Sequence, residues 1–256
     1  MSKSKGNLVG AEEMAQKYGA DTGRLYTLFA APPEKDLEWS EESIEGSWRF
    51  LNRVYRLVEK HSKEVARKKP NPPSKNEGGA PSAVDIAGLS EKEKTLLRKT
   101  HQTLRRVTSD FETRWHFNSA IALIMELTNE VYLREPLEID VRPEVRREVL
   151  ELLTLMLAPM TPHIAEELWE MLGHRNGLWT VSWPAFSEEL ARDDEVEIAV
   201  QVNGRVRGRL KVAAGTCEDE AVKLAQADPG MAAHLAGKKI LKKIFVTDKL
   251  LNIVVA

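Results

Sequence analysis

Through most of the chain, apolar residues recur at intervals of three and four positions. This is the period of an amphipathic helix, and it is clearest over 117–133, where Ile121, Ile124 and Val131 share one face. Helix starts are marked as well, because Ser90 and Glu93 have the spacing of a capping box. The helices predicted in this way cover residues 11–18, 21–31, 40–58, 90–111, 117–133, 143–157 and 161–172.

The period changes from 3.6 to 2 at Glu195, which predicts strands. Apolar and polar residues alternate over 196–202 and again over 206–212. Between these two runs stands Asn203-Gly204, the residue pair typical of a type I′ hairpin turn. The remaining predicted elements are a helix over about 218–227, a short helical piece after a break at 228–230, and strands over 240–246 and 250–255.

These patterns predict a mainly α protein, in which an antiparallel helical bundle is followed by a small α+β domain. The expected order in that domain is strand, strand, helix, strand, strand. Residues 70–84 hold Pro, Gly, Ser, Asn and Lys with almost nothing apolar, so we expect a flexible loop near 70–88. The parts expected are a loop with connecting helices over 1–36, the bundle over 37–190 and the α+β domain over 191–256.

Composition excludes several classes of protein. The 256 residues are 42% hydrophobic and 30% charged, as in soluble globular proteins, and no apolar run approaches the ~18 residues of a membrane span. The polar start is unlike a signal peptide, so we expect a cytoplasmic protein without membrane contact. A single cysteine, Cys217, excludes an intrachain disulfide framework and a cysteine zinc site, and we predict no metal site.

The six tryptophans and His163 fit best as core and inter-helix packing, and Cys217 as a buried or half-buried small side chain. Trp48 in particular is placed on the apolar face of the helix that begins at Ser40. These residues therefore give no chemical site by themselves.

A net charge of −2 means that any contact with RNA must come from locally clustered cations. The return strand of the hairpin places Arg205, Arg207, Arg209 and Lys211 on one face, opposite an apolar face. These cations could instead only solubilise an open sheet and protect its edge. Four like charges on one face repel each other, which favours contact with RNA phosphates. The predicted basic stripe is extended by Lys238, Lys239, Lys242 and Lys243.

The first seven residues, MSKSKGN, have two interpretations. They could be a polar chain terminus of a common kind. They also resemble the KMSKS signature of class I aminoacyl-tRNA synthetases without its leading lysine. In that signature a mobile lysine stabilises the charge that builds on ATP phosphates as pyrophosphate leaves.

Further stretches favour the second interpretation, because the chain resembles the C-terminal portion of bacterial-type leucyl-tRNA synthetases along nearly all of its length. Valyl and isoleucyl relatives usually carry leucine at the position of Lys5 and have different C-terminal ends. The family-like stretches are YGADT (18–22), LFAAPP (28–33), LEW (37–39), FLNRV (50–54), FNSAI (117–121), MEL (125–127), APMTPH (158–163), EELW (166–169), VQVNGR (200–205) and KLLNIVV (249–255).

The resemblance implies a function for each part. Lys3 corresponds to the catalytic lysine, and Met1, Ser2 and Ser4 complete the site for the phosphates of the substrate ATP, with Mg²⁺ expected in the complete enzyme. The helical domain, of the anticodon-binding type, would support the stem of tRNA-Leu, and the last domain would touch the outer corner of the tRNA. The residues that bind adenine and leucine lie upstream in this family. The resemblance therefore implies a part of leucine–tRNA ligase that needs the upstream catalytic core as its partner and is inactive alone.

Two alternatives remain at the level of sequence. The chain could be a stand-alone tRNA- or RNA-binding module without catalysis, which would bind tRNA in a salt-sensitive way without an upstream partner. It could also derive from a ligase of a neighbouring class, such as the methionyl enzyme. The basic hairpin and the residues Asn252, Ile253, Val254 and Val255 argue against this second alternative.

Overall fold

The computed structural model describes residues 10–32, 34–36, 40–67, 84, 88–133, 141–192, 195–235 and 237–255. The chain divides into two compact units, Met1–Ala191 and Arg192–Ala256. The expected loop near 70–88 lies almost wholly outside the described residues.

The first unit is helical, as predicted. Its helices are α1 (Ala11–Tyr18), α2 (Ala20–Ala30), α3 (Glu41–Arg67), α4 (Glu91–Ser109), α5 (Phe117–Leu133), α6 (Pro143–Leu157), α7 (Pro162–Met171) and α8 (Glu188–Ala191). Their bounds agree with the predicted ones to within about two residues, except that α3 continues to Arg67 instead of ending near 58 and α8 was not predicted.

Local sequence explains where these helices start and stop. The capping box at α4 is present: Ser90 Oγ accepts from the N–H of Glu93, and Glu93 Oε2 accepts from the N–H of Ser90. Proline occupies the first turn of both α6 and α7, where its missing N–H costs nothing. A π-helical turn, Asp110–Arg114, continues α4 and stops at Trp115, whose φ of 54° is left-handed.

Glu93 also holds the start of α6 near the start of α4. Its Oε1 accepts hydrogen bonds from the backbone N–H and the Nε of Arg142, at 2.8 and 3.1 Å. Burial acts to raise the pKa of Glu93, but the hydrogen bonds from Arg142 and Ser90 outweigh it and lower this pKa below its ordinary value. The carboxylate is therefore held ionised at neutral pH.

Helix α6 lies at the centre of the bundle, since every residue from Val145 to Leu157 is buried. Helices α3, α4, α5 and α7 all pack against it. A helix that is buried on all sides must pair its polar groups. Its charged side chains accordingly form short contacts, Arg147 with Glu151 at 2.9 Å and Glu148 with His101 of α4 at 2.9 Å.

The second unit has strands β1 (Glu195–Val202), β2 (Arg205–Ala213), β3 (Ile240–Val246) and β4 (Leu250–Val255), with helices α9 (Glu218–Ala227) and α10 (Pro229–Leu235) before β3. The strand order is β2-β1-β4-β3. Both outer pairs are antiparallel hairpins, and the central pair β1 and β4 is parallel. Apolar residues of α9 and α10 cover one sheet face, with Ile198, Leu251 and Ile253 in the core.

The predicted hairpin turn is confirmed, because Asn203 and Gly204 have φ values of 53° and 77°. The Asn203 side chain also bonds the backbone of Val255 on β4, accepting from its N–H at 2.8 Å and donating to its C=O at 3.2 Å. The turn therefore ties the first hairpin to the strand that pairs with it in parallel.

Candidate functional site

The predicted phosphate-binding residues Met1, Ser2, Lys3 and Ser4 lie outside the described residues. The described part of the chain begins at Gly10, and α1 starts at the next residue. The structure therefore describes the helices that follow these residues.

Helix α2 is fixed to the turn between α6 and α7 by two side chains. Asp21 Oδ1 accepts from Nδ1 of His163 at 2.8 Å, and its Oδ2 accepts from the N–H of Ile164 at 2.7 Å. Ile164 lies in the first turn of α7, where backbone N–H groups lack helical partners and a carboxylate is favoured. Arg24 donates through Nε to the carbonyl of Met160 at 3.0 Å. We call this set of contacts the α2–α7 clasp.

The prediction of core and inter-helix packing is wrong for Trp48, Trp115 and Trp179, whereas Trp183 packs against the bundle core and His163, though exposed, joins α7 to α2. The side chain of His163 is 74% exposed, and Trp48, Trp115 and Trp179 are 44%, 64% and 88% exposed. Trp169 is buried, as predicted. Cys217 is exposed as well, contrary to the prediction.

The exposure of Trp48 follows from the actual register of α3. The buried stripe runs through Ile44, Ser47, Leu51 and Val54 at spacings of three and four. Trp48 lies beside this stripe. Ser47 is polar, so the pattern of apolar residues predicted that Trp48 and not Ser47 belongs to the buried stripe. The correct register can be predicted from the sequence if a small residue such as serine is accepted within the apolar stripe.

A pocket of about 470 Å³ opens between α2, α3 and α7. Trp48, Asn52 and Tyr55 line it from one side of α3, and Asp21 and His163 line it from the clasp. We call it the clasp pocket. It combines aromatic rings with an imidazole that a carboxylate orients, and it is open to solvent.

Exposed arginines follow α3 beside the clasp pocket. Arg49, Arg53 and Arg56 are spaced by four and three residues, so they form one stripe on the helix surface. Arg53 donates to Asn129 Oδ1 at 2.7 Å and stacks over the ring of Tyr132. Arg49 lies 3.7 Å from Glu45. This stripe was not singled out by the sequence analysis.

The four predicted cations of the hairpin are all exposed, but they do not share one face. Between Val200 and Gln201 the register shifts, because Val200 pairs with Gly208 and Gln201 with Val206. Arg207 is thus the extra residue of a β-bulge. Residues directly opposite in an antiparallel pair point to the same side.

The bulge reverses the alternation at the end of β2 near the turn. Arg209 and Lys211 stand opposite Ala199 and Glu197, on the face not covered by helices. Arg205 stands opposite the buried Val202, on the helix-covered side, and Val206 turns outward with 58% exposure. The single-face prediction was therefore wrong for Arg205, because alternation read from sequence contains no bulge.

The remaining predicted cations lie at the other edge of the sheet. Lys242 is exposed on β3, and Lys238 is exposed just before it. With the order β2-β1-β4-β3, three strand spacings separate β2 from β3, which is about 14 Å. The two basic groups flank the sheet instead of forming one continuous stripe.

Some of the cations are paired within the second unit. Arg209 lies 3.2 Å from Glu197, and Lys243 lies 3.0 Å from Asp219. The hydrogen bond with Asp219 raises the pKa of Lys243, and the same bond lowers the pKa of Asp219. Asp219 is exposed and Lys243 is partly exposed, so water screens this pair.

Within the described ranges, no three histidine, cysteine or carboxylate side chains come together in a way that could bind a metal ion. Among the helices that the structure describes, none has the length and apolar character needed to cross a membrane.

A family model described as the anticodon-binding domain of tRNA ligase matches residues 93–222. The leucine–tRNA ligases of Geotalea uraniireducens and Geotalea daltonii are 46% and 44% identical to the chain over 255 residues. Each alignment covers 100% of this chain and 29% of the relative. The chain thus spans less than a third of the length of these relatives.

A solved structure is similar over the same extent. It is the LeuRS of Agrobacterium radiobacter in a ternary LeuRS–tRNA–LeuAMS complex, with a TM-score of 0.85 and 27% identity, covering 100% of this chain and 31% of that one. The resemblance to leucyl-tRNA synthetases and the predicted fold class are confirmed by these matches. The chain belongs to the family of anticodon-binding domains of tRNA ligases, and its similarity to leucine–tRNA ligases extends over its whole length.

Proposed function

We propose that this chain serves leucine–tRNA ligase, the enzyme that attaches leucine to tRNA-Leu at the expense of ATP. It supplies the lysine loop that grips ATP phosphates and the domains that bind tRNA. The observation that carries the proposal is the match to leucine–tRNA ligases over the full chain, in sequence and in fold.

Lys3 is the catalytic residue of the proposal. As leucine attacks ATP, negative charge builds on the departing pyrophosphate, and an ammonium group at that position stabilises the transition state more than the ground state. Ser2 and Ser4 would donate hydrogen bonds to phosphate oxygens, with Met1 completing the signature. Mg²⁺ would accompany ATP in the complete enzyme and neutralise phosphate charge there.

The α2–α7 clasp suits this role because it anchors the helices that follow the lysine loop in the chain. Asp21 and Arg24 connect α2 to the end of α6 and the start of α7 through hydrogen bonds of 2.7 to 3.0 Å. A loop that must close onto a triphosphate needs a rigid attachment to the rest of the protein. We propose that the clasp is this rigid attachment, and that Asp21 and His163 are positioning residues for the lysine loop.

Both units would contact tRNA-Leu. Residues 37–190 present the basic stripe of α3, and residues 191–256 present Arg205, Arg207, Arg209 and Lys211 at one sheet edge, with Lys238 and Lys242 at the other. Such cations attract phosphates and position the RNA without reading its sequence. We propose residue 36 as the boundary between the helices that follow the lysine loop and the bundle.

The proposed partner is the upstream catalytic core of the synthetase, in the cytoplasm. The residues that hold adenine and leucine are assigned to that core, and positioning of ATP is most of the catalysis. We therefore expect the chain to be inactive by itself.

Leucine-dependent exchange of pyrophosphate into ATP tests the proposal. The 256-residue chain alone should show none, and activity should appear when it is co-expressed with a polypeptide carrying the upstream part of a leucine–tRNA ligase. Exchange by the isolated chain that depends on Lys3 would show that it is competent alone. Tight tRNA binding with no activity in any complex would favour a stand-alone RNA-binding module.

A further inference from the structure

The clasp pocket contains groups that the proposed phosphate and basic surfaces do not use. It is open to solvent, about 470 Å³ in volume, and lies within the first unit. Trp48 is 44% exposed there, although a tryptophan on a helix normally gains most by burial. An exposed aromatic ring at a concave surface indicates a ligand with a flat apolar face.

The polar groups of the pocket are oriented and still have bonding capacity. Asn52 donates from Nδ2 to the carbonyl of Trp48 at 2.8 Å, which fixes its amide and leaves Oδ1 as an acceptor. His163 uses Nδ1 toward Asp21, and no described residue bonds its Nε2. Asp21 has both oxygens engaged and is nearly buried, so it orients the imidazole.

Charge next to the pocket indicates the class of ligand. Arg49, Arg53 and Arg56 run along the neighbouring stripe of α3, and Glu45 is the acidic side chain paired with this stripe. A flat aromatic surface beside a row of cations fits a nucleotide, whose base stacks while its phosphates meet the cations. An apolar peptide would make no use of the arginines.

We propose that the clasp pocket binds one unstacked base of the bound tRNA, which stacks on Trp48 and meets Asn52 and His163 at its edge. This inference rests on the proposed function, because it takes tRNA as the ligand. Asn52 lies one helical turn after Trp48 on α3, on the same side of the helix, so both can reach one base. Binding there would connect tRNA to the α2–α7 clasp, since Asp21 and His163 belong to both.

The test compares affinities of the 256-residue chain for a tRNA-Leu transcript, with Trp48→Ala as the variant and Trp179→Ala as the matched control. Trp179 is also exposed, at 88%, but does not line this pocket. Loss of one stacked base should weaken binding on the order of 5- to 150-fold. Trp179→Ala should change affinity by less than about twofold, since it removes no such contact.

Two further measurements separate stacking from other effects. Trp48→Phe keeps an aromatic face and should retain affinity within about threefold of the parent. The salt dependence of binding should have the same slope in Trp48→Ala and parent, because no charge is removed. Thermal melting of each variant controls for folding.

The outcomes are distinct. If Trp48→Ala binds like the folded parent, or if Trp48→Phe loses as much affinity as Trp48→Ala, the base-binding pocket is wrong while tRNA binding stands. If the parent chain does not bind the transcript at any salt concentration, tRNA binding by this chain and the pocket are both overturned.

Discussion

His163 and Asp21 are 142 residues apart in the chain, and a hydrogen bond of 2.8 Å joins their side chains. The second oxygen of Asp21 accepts from the first turn of α7. One buried carboxylate thus connects α2 to the first turn of α7. Because the partners of Asp21 come from a helix distant in sequence, removing this carboxylate should lower both the stability of the fold and the activity.

Asp21→Ala should lower the free energy of unfolding of the first unit by about 1.5–3 kcal/mol, the range for hydrogen bonds to a charged group. Urea denaturation followed by circular dichroism measures this. Glu167→Ala is the matched control, because Glu167 is exposed on α7 and its loss should change stability by about 0.5 kcal/mol or less. Equal effects of the two substitutions would show that the clasp does not stabilise the unit.

Glu93 should make stability depend on pH in the acid range. The pKa of Glu93 is lowered in the folded protein. Its contribution to the free energy of unfolding is therefore fully present above the pKa of the unfolded chain, and it is lost as pH falls through the pKa of the folded protein. The parent and Glu93→Gln should therefore differ most in stability at neutral pH, and their difference should shrink as pH falls below about 4.5. Urea midpoints measured at a series of pH values test this.

The control for that experiment is Glu91→Gln. Glu91 belongs to the same helix turn, but its side chain is 80% exposed and water screens its contact with Lys94, so Glu91→Gln should change the urea midpoint at neutral pH far less than Glu93→Gln. A constant offset between parent and Glu93→Gln at every pH would contradict the assigned pKa direction.

The hairpin cations should contribute to tRNA binding through charge. Replacing Arg207 and Arg209 together by glutamine should reduce the slope of log affinity against log salt by about two units at most. Because Arg209 is paired with Glu197, a smaller change is expected from it than from Arg207. The control is Lys223→Gln on α9, on the side of the sheet that helices cover. If the folded parent and the folded double variant give the same curve of tRNA affinity against salt, the hairpin cations do not contact tRNA.

Lys3→Ala should lower the rate of leucine activation by at least about tenfold in the complex with the upstream core, through lost stabilisation of the departing pyrophosphate. The measurement is single-turnover adenylate formation at saturating ATP. Lys5→Ala, two residues away, removes the same charge outside the signature and should have a smaller effect. Equal losses would show that general charge, and not a specific phosphate contact, is responsible.

Two glycines should respond oppositely to alanine. Gly204 has φ of +77° in the hairpin turn, so Gly204→Ala should destabilise the second unit by about 1–2 kcal/mol. Gly46 lies inside α3 with nothing within 4 Å of an added Cβ, so Gly46→Ala should stabilise the first unit by about 0.5–1 kcal/mol. Differential scanning calorimetry of both variants gives the two signs. A stabilising Gly204→Ala would contradict the turn assignment.

The elements that sequence predicted well are those with local causes. The capping box of Ser90 and Glu93 and the turn at Asn203 and Gly204 depend on residues a few positions apart, and both are present. Helical period and turn chemistry carry this information without any knowledge of the rest of the fold. The fold class follows from the same local signals.

Distant contacts account for what sequence missed. Trp48 looked like a core residue because its neighbour Ser47, which is the buried one, is polar. The bulge at Arg207 shows only when β2 is set against β1, and the pairing of Asp21 with His163 only when α2 is set against α7. In each case the missing information is which surface a side chain meets, and this is set by packing rather than by the period.

The parallel pairing of β1 with β4 sets an order of events for the folding of the second unit. Each hairpin closes a short loop, whereas Ala199 meets Leu250 only after the two intervening helices have been crossed. Loop-closure entropy and slow non-local pairing both favour early formation of the two hairpins and late pairing of β1 with β4, the seam between them. Substitutions in the turns should therefore change the folding rate, and substitutions along the seam between β1 and β4 should mainly change the unfolding rate.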